Sequence, residues 1–290
     1  MIPASFDYQA PKTLDEAVAL LAQRRNEAKV LSGGQSLLPL LKLRLGQAAL
    51  LVDIGRIPGL EYVKEEGGFL RIGGRTRESV LERSEIVRSR YPILADTTAV
   101  IADPLVRNLA TVGGNLAHAD PANDHPATML ALGARLLARG PKGEREIAID
   151  DFFKGLFATA LEPEEILTEI RIPLPPPKSG GAYLKLERKV GDYATAAAAV
   201  QITLGKKGEV MRAGVALTAA GPTPVRAREA ERYLEGRMVD AAAASEAARL
   251  AAGAARPTAD RRGSVEYKRE MARVLVARAL AKAAQRAEGR

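Results

Sequence analysis

A chain of 290 residues, 47% hydrophobic and 27% charged, has the balance of a folded protein and the length for two domains around a sizeable core, which excludes general disorder. It contains no cysteine, so a disulfide, a cysteine nucleophile and an iron–sulfur cluster held by thiolates are all excluded within it. The formal charge of +8 raises a polyanionic partner, but aromatic residues are only 4%, no basic run is interleaved with them, and much of the excess lies in the Arg-rich C-terminal part. No nucleic-acid partner is therefore expected.

The opening MIPASFDYQA lacks a basic region followed by an apolar run, and no stretch approaches the length of a transmembrane helix. The expectation is a cytoplasmic protein, at most peripheral at the inner face of the membrane. Thr13 and Glu16 form a capping box, and Leu14, Ala17, Val18 and Leu21 recur at helical spacing, predicting a helix to about Arg25. A short strand over 28–31, the turn Ser32-Gly33-Gly34-Gln35-Ser36, an apolar helical turn over 37–45 and a strand over 49–54 complete a small α/β layer. Two strands between 60 and 71 flank Glu65-Glu66-Gly67-Gly68, a hairpin signal, and Thr76 opens one helix predicted to run to about Arg90. A glycine turn at 113–114, a helix over 127–132 and strands near 134–139, 145–149 and 165–172 follow, an α+β mixture.

Pro173 to Gly181 carries four prolines; it is stiff and a poor donor to a sheet ladder, and so marks the linker. Domains are expected at 1–176, with lobes of about 1–55 and 56–176, and at 177–290. Beyond the linker, strands at 182–189, 195–204 and 210–217 joined by short turns predict an antiparallel meander, followed by Ala-rich helices at 227–235, 239–252 and 264–286.

Two segments carry chemistry. In Val30-Leu31-Ser32-Gly33-Gly34-Gln35-Ser36-Leu37, a strand ends in two glycines and small hydroxyl residues before a helical turn; backbone N–H groups there can approach an anion such as a pyrophosphate. Plain turn chemistry explains such a pair as well. Thr111-Val112-Gly113-Gly114-Asn115 repeats the combination, and two separate glycine turns suit a long ligand with two phosphates. Neither is a P-loop, and neither has the G-x-G-x-x-G spacing of a Rossmann site. His118, Asp120, Asp124 and His125 are of metal-ligating types, but two histidines on one helix face are missing and no metal site is expected.

SGGQSLLP at 32–39 together with RNLATVGGNLAHADPANDHPA at 107–127 resembles the FAD-binding medium subunits of molybdenum hydroxylases of the carbon monoxide dehydrogenase and xanthine dehydrogenase type. EEILTEIRIP at 164–173 and KVGDYATAAAAV at 189–200 extend the resemblance over essentially the whole chain. It implies a two-lobed FAD-binding domain of the vanillyl-alcohol oxidase (PCMH) type, followed by an antiparallel sheet with a helical bundle. It further implies that residues 32–36 and 111–114 hold the FAD pyrophosphate mostly through backbone N–H groups, flanked by Val30, Leu31, Leu37 and Asn115. Ile101 and Ala102 would lie beside the flavin, Leu167 would also bind the cofactor, and Asp124 would bond the ribose or adenine end. The other reading of Asp124 is a helix N-cap. Lys185 would stand near the flavin and Tyr193 would cover one face of its ring; alternation out of a strand accounts for either residue equally.

The implied role is electron transfer. Chemistry would occur at molybdopterin on a large partner, electrons would cross two-iron two-sulfur clusters on a small partner, and this chain would pass them from FAD to a quinone, NAD or oxygen, within a dimer of heterotrimers. No catalytic acid, base or nucleophile is expected here. The alternative is a self-sufficient flavin oxidase of the same fold group, for which about 110 residues after the linker leave little room for a substrate domain.

Overall fold

The computed structural model describes residues 2–289. The first lobe comprises β1 (Asp7–Gln9), α1 (Leu14–Gln23), β2 (Ala28–Leu31), α2 (Leu37–Lys42) and β3 (Leu50–Asp53), the strands forming a parallel sheet in the order β1-β3-β2. Thr13 Oγ1 accepts the N–H of Glu16 at 3.2 Å, while the Glu16 carboxylate reaches back to the N–H of Lys12 at 2.8 Å, so α1 starts where its capping residues satisfy orphan donors. Ala17, Val18 and Leu21 then pack onto Val52 and Ile54. β1 carries no strand signal of its own in the sequence. Its three residues are exposed, and pairing with β3 makes it a strand.

The second lobe is built on an antiparallel sheet in the order β4-β5-β10-β6-β7, formed by β4 (Val63–Glu66), β5 (Phe69–Gly73), β6 (Arg135–Gly140), β7 (Gly143–Ala148) and β10 (Ile166–Pro173), with the small hairpin of β8 (Phe153–Gly155) and β9 (Ala158–Thr159) beside it. Gly67 and Gly68 take φ of 60° and 84°, the mirror-image turn that the twist of a hairpin requires. Helices α3 (Glu78–Arg83), α4 (Glu85–Arg90), α5 (Pro92–Ala99), α6 (Pro104–Arg107), α7 (Val112–His118), α8 (Asp124–Leu132) and α9 (Ile149–Phe152) fill the connections. The single helix predicted over 76–90 is two, because Ser84 adopts extended backbone and its hydroxyl caps α4 at the N–H of Val87. The predicted glycine turn at 113–114 is the first turn of α7, capped by Thr111.

The chain leaves β10 at Pro173 and enters β11 (Ser179–Leu186), which pairs with β12 (Ala196–Leu204), β13 (Val210–Thr218) and the two-residue β14 (Val225–Arg226) in sequential antiparallel order. Successive side chains of a strand point to opposite faces. Ala197, Ala199, Ala216 and Tyr183 join the core of the second lobe, whereas Ala196, Ala198, Val200, Val215 and Leu217 join a core beneath α10 (Arg228–Leu234), α11 (Ala241–Ala254) and α12 (Val265–Ala287). The run of small residues in β12 follows from this burial on both faces. Asp96 on α5 binds Lys282 and Arg286 of α12, the arginine through two bonds of 2.6 and 2.9 Å. Among the described residues, no helix is long and apolar enough to cross a membrane.

Candidate functional site

One cleft of about 840 Å³ gathers nearly all the residues singled out in the sequence, and its size is that of a cofactor site. Val30, Ser32, Gly33, Gly34, Gln35, Ser36 and Leu37 line it from the end of β2 and the turn beyond, and Ile101 and Ala102 from the α5–α6 connection. Thr111, Gly113, Gly114 and Asn115 line it from the start of α7, with Asp124 from α8, Leu167 from β10, Lys185 from β11 and Tyr193 from the β11–β12 loop. Leu31 is the exception. It leaves β2 on the face opposite Val30, and its Cδ1 lies 3.2 Å from where a Cβ on Gly34 would stand, in company with Leu38.

The glycines bring the two motifs together. A Cβ on Gly33 would stand 2.2 Å from the carbonyl oxygen of Leu109, and one on Gly113 would stand 2.4 Å from that of Gly74. Backbone thus lies directly against backbone, and no other residue fits without displacement. Ser32 Oγ and Thr111 Oγ1 share a hydrogen bond of 2.9 Å across the seam. Gly34 has φ of 72°, the left-handed conformation that lets successive N–H groups converge on one point.

Donor supply separates the two motifs. The N–H groups of Gly33, Gly34, Gln35 and Ser36 have no acceptor among the described residues. In the second motif, by contrast, the N–H of Val112 donates to Thr76 O at 2.9 Å, that of Gly113 to Gly74 O at 3.0 Å and that of Gly114 to Thr111 Oγ1 at 3.2 Å. The expectation that both turns offer backbone donors is thereby corrected: residues 112–114 spend theirs on packing. What that motif leaves is the N–H and hydroxyl of Thr111 and the buried, unpartnered Oδ1 of Asn115. A pyrophosphate fits the first turn, which lines the cleft with four unused backbone donors.

Asp124 and Lys185, expected at different parts of the ligand, form one ion pair of 3.0 Å with side chains only 7% and 2% exposed. Lys185 Nζ also donates to Val100 O at 2.9 Å and lies 3.3 Å from Glu187, and Tyr183 donates its hydroxyl proton to Asp124 at 2.6 Å. Burial pushes the Asp124 carboxyl up, against the pull of Lys185 and Tyr183, and burial with the facing carboxylate pushes the Tyr183 hydroxyl well up. The N-cap reading of Asp124 does not hold, since Asn123 occupies that position. His125 is likewise engaged elsewhere, its Nε2 lying 2.7 Å from the buried Glu78 carboxylate.

Tyr193 is 44% exposed at the cleft mouth. Its loop is pinned by Asp192, which accepts from Arg262 at 2.9 Å, from Arg188 at 3.1 Å and from the N–H of Tyr193 at 2.8 Å. Arg262, then Arg188, hold the Asp192 carboxyl down at about 2. Asp192, His118, Phe157 and Gly74 also line the cleft, and none was expected at the cofactor, His118 having been weighed only as a metal-ligand type. The first two lie inside the quoted motifs. Phe157 gave no local signal: it packs on His118 with ring centroids 5.1 Å apart and takes φ of 55°, neither of which its neighbours in sequence announce.

Residues 4–175 match the family model described as "FAD binding domain in molybdopterin dehydrogenase", and residues 181–283 match "CO dehydrogenase flavoprotein C-terminal domain". The chain is 44% identical over 288 residues to the carbon monoxide dehydrogenase medium chain of Afipia carboxidovorans, covering 99% of this chain and 100% of that one. It is 45% identical to the medium chain from Hydrogenophaga pseudoflava, covering 97% of each. A crystal structure of a Cu,Mo-CO dehydrogenase contains a chain that superposes with a TM-score of 0.96 at 44% identity, over 99% of this chain and 100% of that chain. The chain therefore belongs to the family of FAD-binding medium chains of molybdopterin-dependent dehydrogenases, oxidoreductase subunits that include those of carbon monoxide dehydrogenase.

Proposed function

We propose that this chain is the FAD-carrying medium subunit of a heterotrimeric molybdenum hydroxylase, receiving electrons from iron–sulfur clusters of a small partner and delivering them to an external acceptor. The observation that carries the reading is the cleft lined by residues 33–36, whose N–H groups are unused, beside the hydrogen-bonded Ser32 and Thr111 hydroxyls. FAD, when bound, exchanges electrons singly or in pairs. The chain's own residues bind and orient it: the 33–36 turn at the pyrophosphate, Thr111 and Asn115 beside it, Ile101, Ala102 and Leu167 as wall, the Asp124–Lys185 pair as a buried polar anchor, and Tyr193 as cover.

Three exposed apolar side chains belong to segments that line the cleft. Leu105 precedes the lining residue Val106, Val190 precedes the lining residue Gly191, and Phe157 lines the cleft itself. Such exposed apolar side chains support docking of a partner subunit near the cleft. The molybdopterin would reside on a large subunit, the assembly would be a dimer of heterotrimers in the cytoplasm, and the acceptor would be a quinone, NAD or oxygen. We also divide the chain into domains at 176/177, within the segment between β10 and β11.

The test is anaerobic titration with CO, xanthine, an aldehyde and an N-heterocycle, followed at flavin wavelengths, of the chain alone and of the chain recombined with small and large subunits. Bleaching only in the recombined complex is expected. Substrate-driven bleaching in the chain alone would overturn the subunit reading in favour of a self-sufficient oxidase.

A further inference from the structure

Three consecutive carbonyls of the α5–α6 connection are held by buried cations. Lys185 Nζ donates to Val100 O at 2.9 Å, and Arg107 Nη1 donates to Ile101 O at 2.9 Å and to Ala102 O at 3.2 Å. Arg107 is 9% exposed, and its Nε and Nη2 meet the carboxylate of Glu82 on α3 at 3.0 and 3.1 Å. It is thus a planar fork with one edge on Glu82 and the other on the 101–102 backbone. Ile101 and Ala102 line the cleft; Arg107 does not.

In a planar trans peptide the N–H points opposite the carbonyl. With the Ile101 and Ala102 carbonyls turned to Arg107, the N–H groups of Ala102 and Asp103 are directed away from it, and neither has an acceptor among the described residues. Ala102 has φ of 45°, a conformation that surrounding contacts must impose on a residue with a Cβ. Gly191 in the Tyr193 loop lies against the same peptide, where a Cβ would stand 2.7 Å from Ala102 O.

We propose that Arg107 is a positioning residue for the flavin site, which draws the Ile101 and Ala102 carbonyls out of the cleft and so presents the Ala102 N–H to the bound ring as a hydrogen-bond donor. The proposal rests on the FAD reading above. A donor so fixed favours the more electron-rich, reduced ring over the oxidised one, so Arg107 would raise the ratio of the two affinities without touching the ligand.

The experiment uses the full chain loaded with FAD, comparing wild type, R107M, R107K and E82Q. The readouts are the flavin midpoint potential, the ring carbonyl stretching frequencies by resonance Raman, and thermal unfolding. R107M is expected to lower the affinity ratio of reduced to oxidised FAD about tenfold, roughly 30 mV for a two-electron couple, and to shift a ring carbonyl band. R107K keeps the charge but lacks the fork, so it should move both readouts in the same direction. Should R107M fail to fold, R107K and E82Q decide: unchanged potential and bands in both overturn the proposal. A folded R107M with wild-type values also overturns it. So does R107K matching wild type while R107M shifts, since charge alone would then account for the effect. Unchanged values with FAD bound leave the FAD reading intact, whereas a wild-type chain that takes up no FAD refutes that reading itself.

Discussion

Gly33→Ala tests whether the seam between the two motifs builds the binding site. The added Cβ would stand 2.2 Å from Leu109 O and 2.8 Å from the Ala110 Cα, both backbone atoms that no rotamer change can move aside. The contact is about 1 Å short of ordinary van der Waals separation, so the 33–36 turn must withdraw by roughly that distance from the 109–110 backbone. Overpacking of this kind costs about 1–3 kcal/mol of stability. The larger effect falls on the ligand. The four unused N–H groups of the turn are displaced together, and a hydrogen bond to a charged group contributes about 1.5–3 kcal/mol. Loss of one of them weakens FAD binding about 10- to 150-fold, and loss of two by about 100-fold or more. The assay is fluorescence titration of apoprotein with FAD, alongside urea unfolding of the apoprotein. Gly46→Ala is the control: it also lines the cleft, yet its Cβ would meet only Leu40 Cβ at 3.9 Å, so it should bind FAD within about twofold of wild type and gain up to ~1 kcal/mol. A Gly33→Ala chain that binds FAD like wild type with unaltered unfolding would refute the reasoning.

Lys185→Met leaves Asp124 buried without its cation and should destabilise the fold by about 3–5 kcal/mol, while Lys185→Met combined with Asp124→Asn should recover most of the loss; denaturant melts of the two variants check this. Tyr193→Ala removes the ring at the cleft mouth and should weaken FAD about fivefold, equivalent to ~1 kcal/mol of stacking, and speed reoxidation by oxygen, which stopped-flow absorbance measures. The Asp192 carboxyl is depressed from 3.8 to about 2, so its contribution is complete above pH 3.8 and lost only as pH falls toward 2. Reoxidation should therefore show no Asp192-dependent step between pH 5 and 9, and Asp192→Asn should differ from wild type by a constant factor across that range. A step present in wild type and absent in the variant would contradict the assignment.

Local signals in the sequence determined the elements whose reasons are local. The capping residues of α1, the two glycines of the β4–β5 hairpin and the short turns joining β11 to β13 each act over a few neighbouring residues, so they are legible without the fold. The resemblance brought the cleft residues onto one list, and the structure gathers all of them except Leu31 around one cavity. Tertiary packing decided how those residues divide the work. Ser32-Gly33-Gly34 and Thr111-Val112-Gly113-Gly114 look alike in sequence, but only packing shows that Gly74 O and Thr76 O take the N–H groups of the second while those of the first remain unused. In the same way Asp124 finds Lys185 at a separation of 61 residues, and β1 is a strand only because β3 lies beside it. A hydrogen-bond donor is specified by its residue, but whether it is spent on the protein or left for a ligand depends on which distant carbonyl the fold brings within 3 Å, and that information is not carried by the neighbouring sequence.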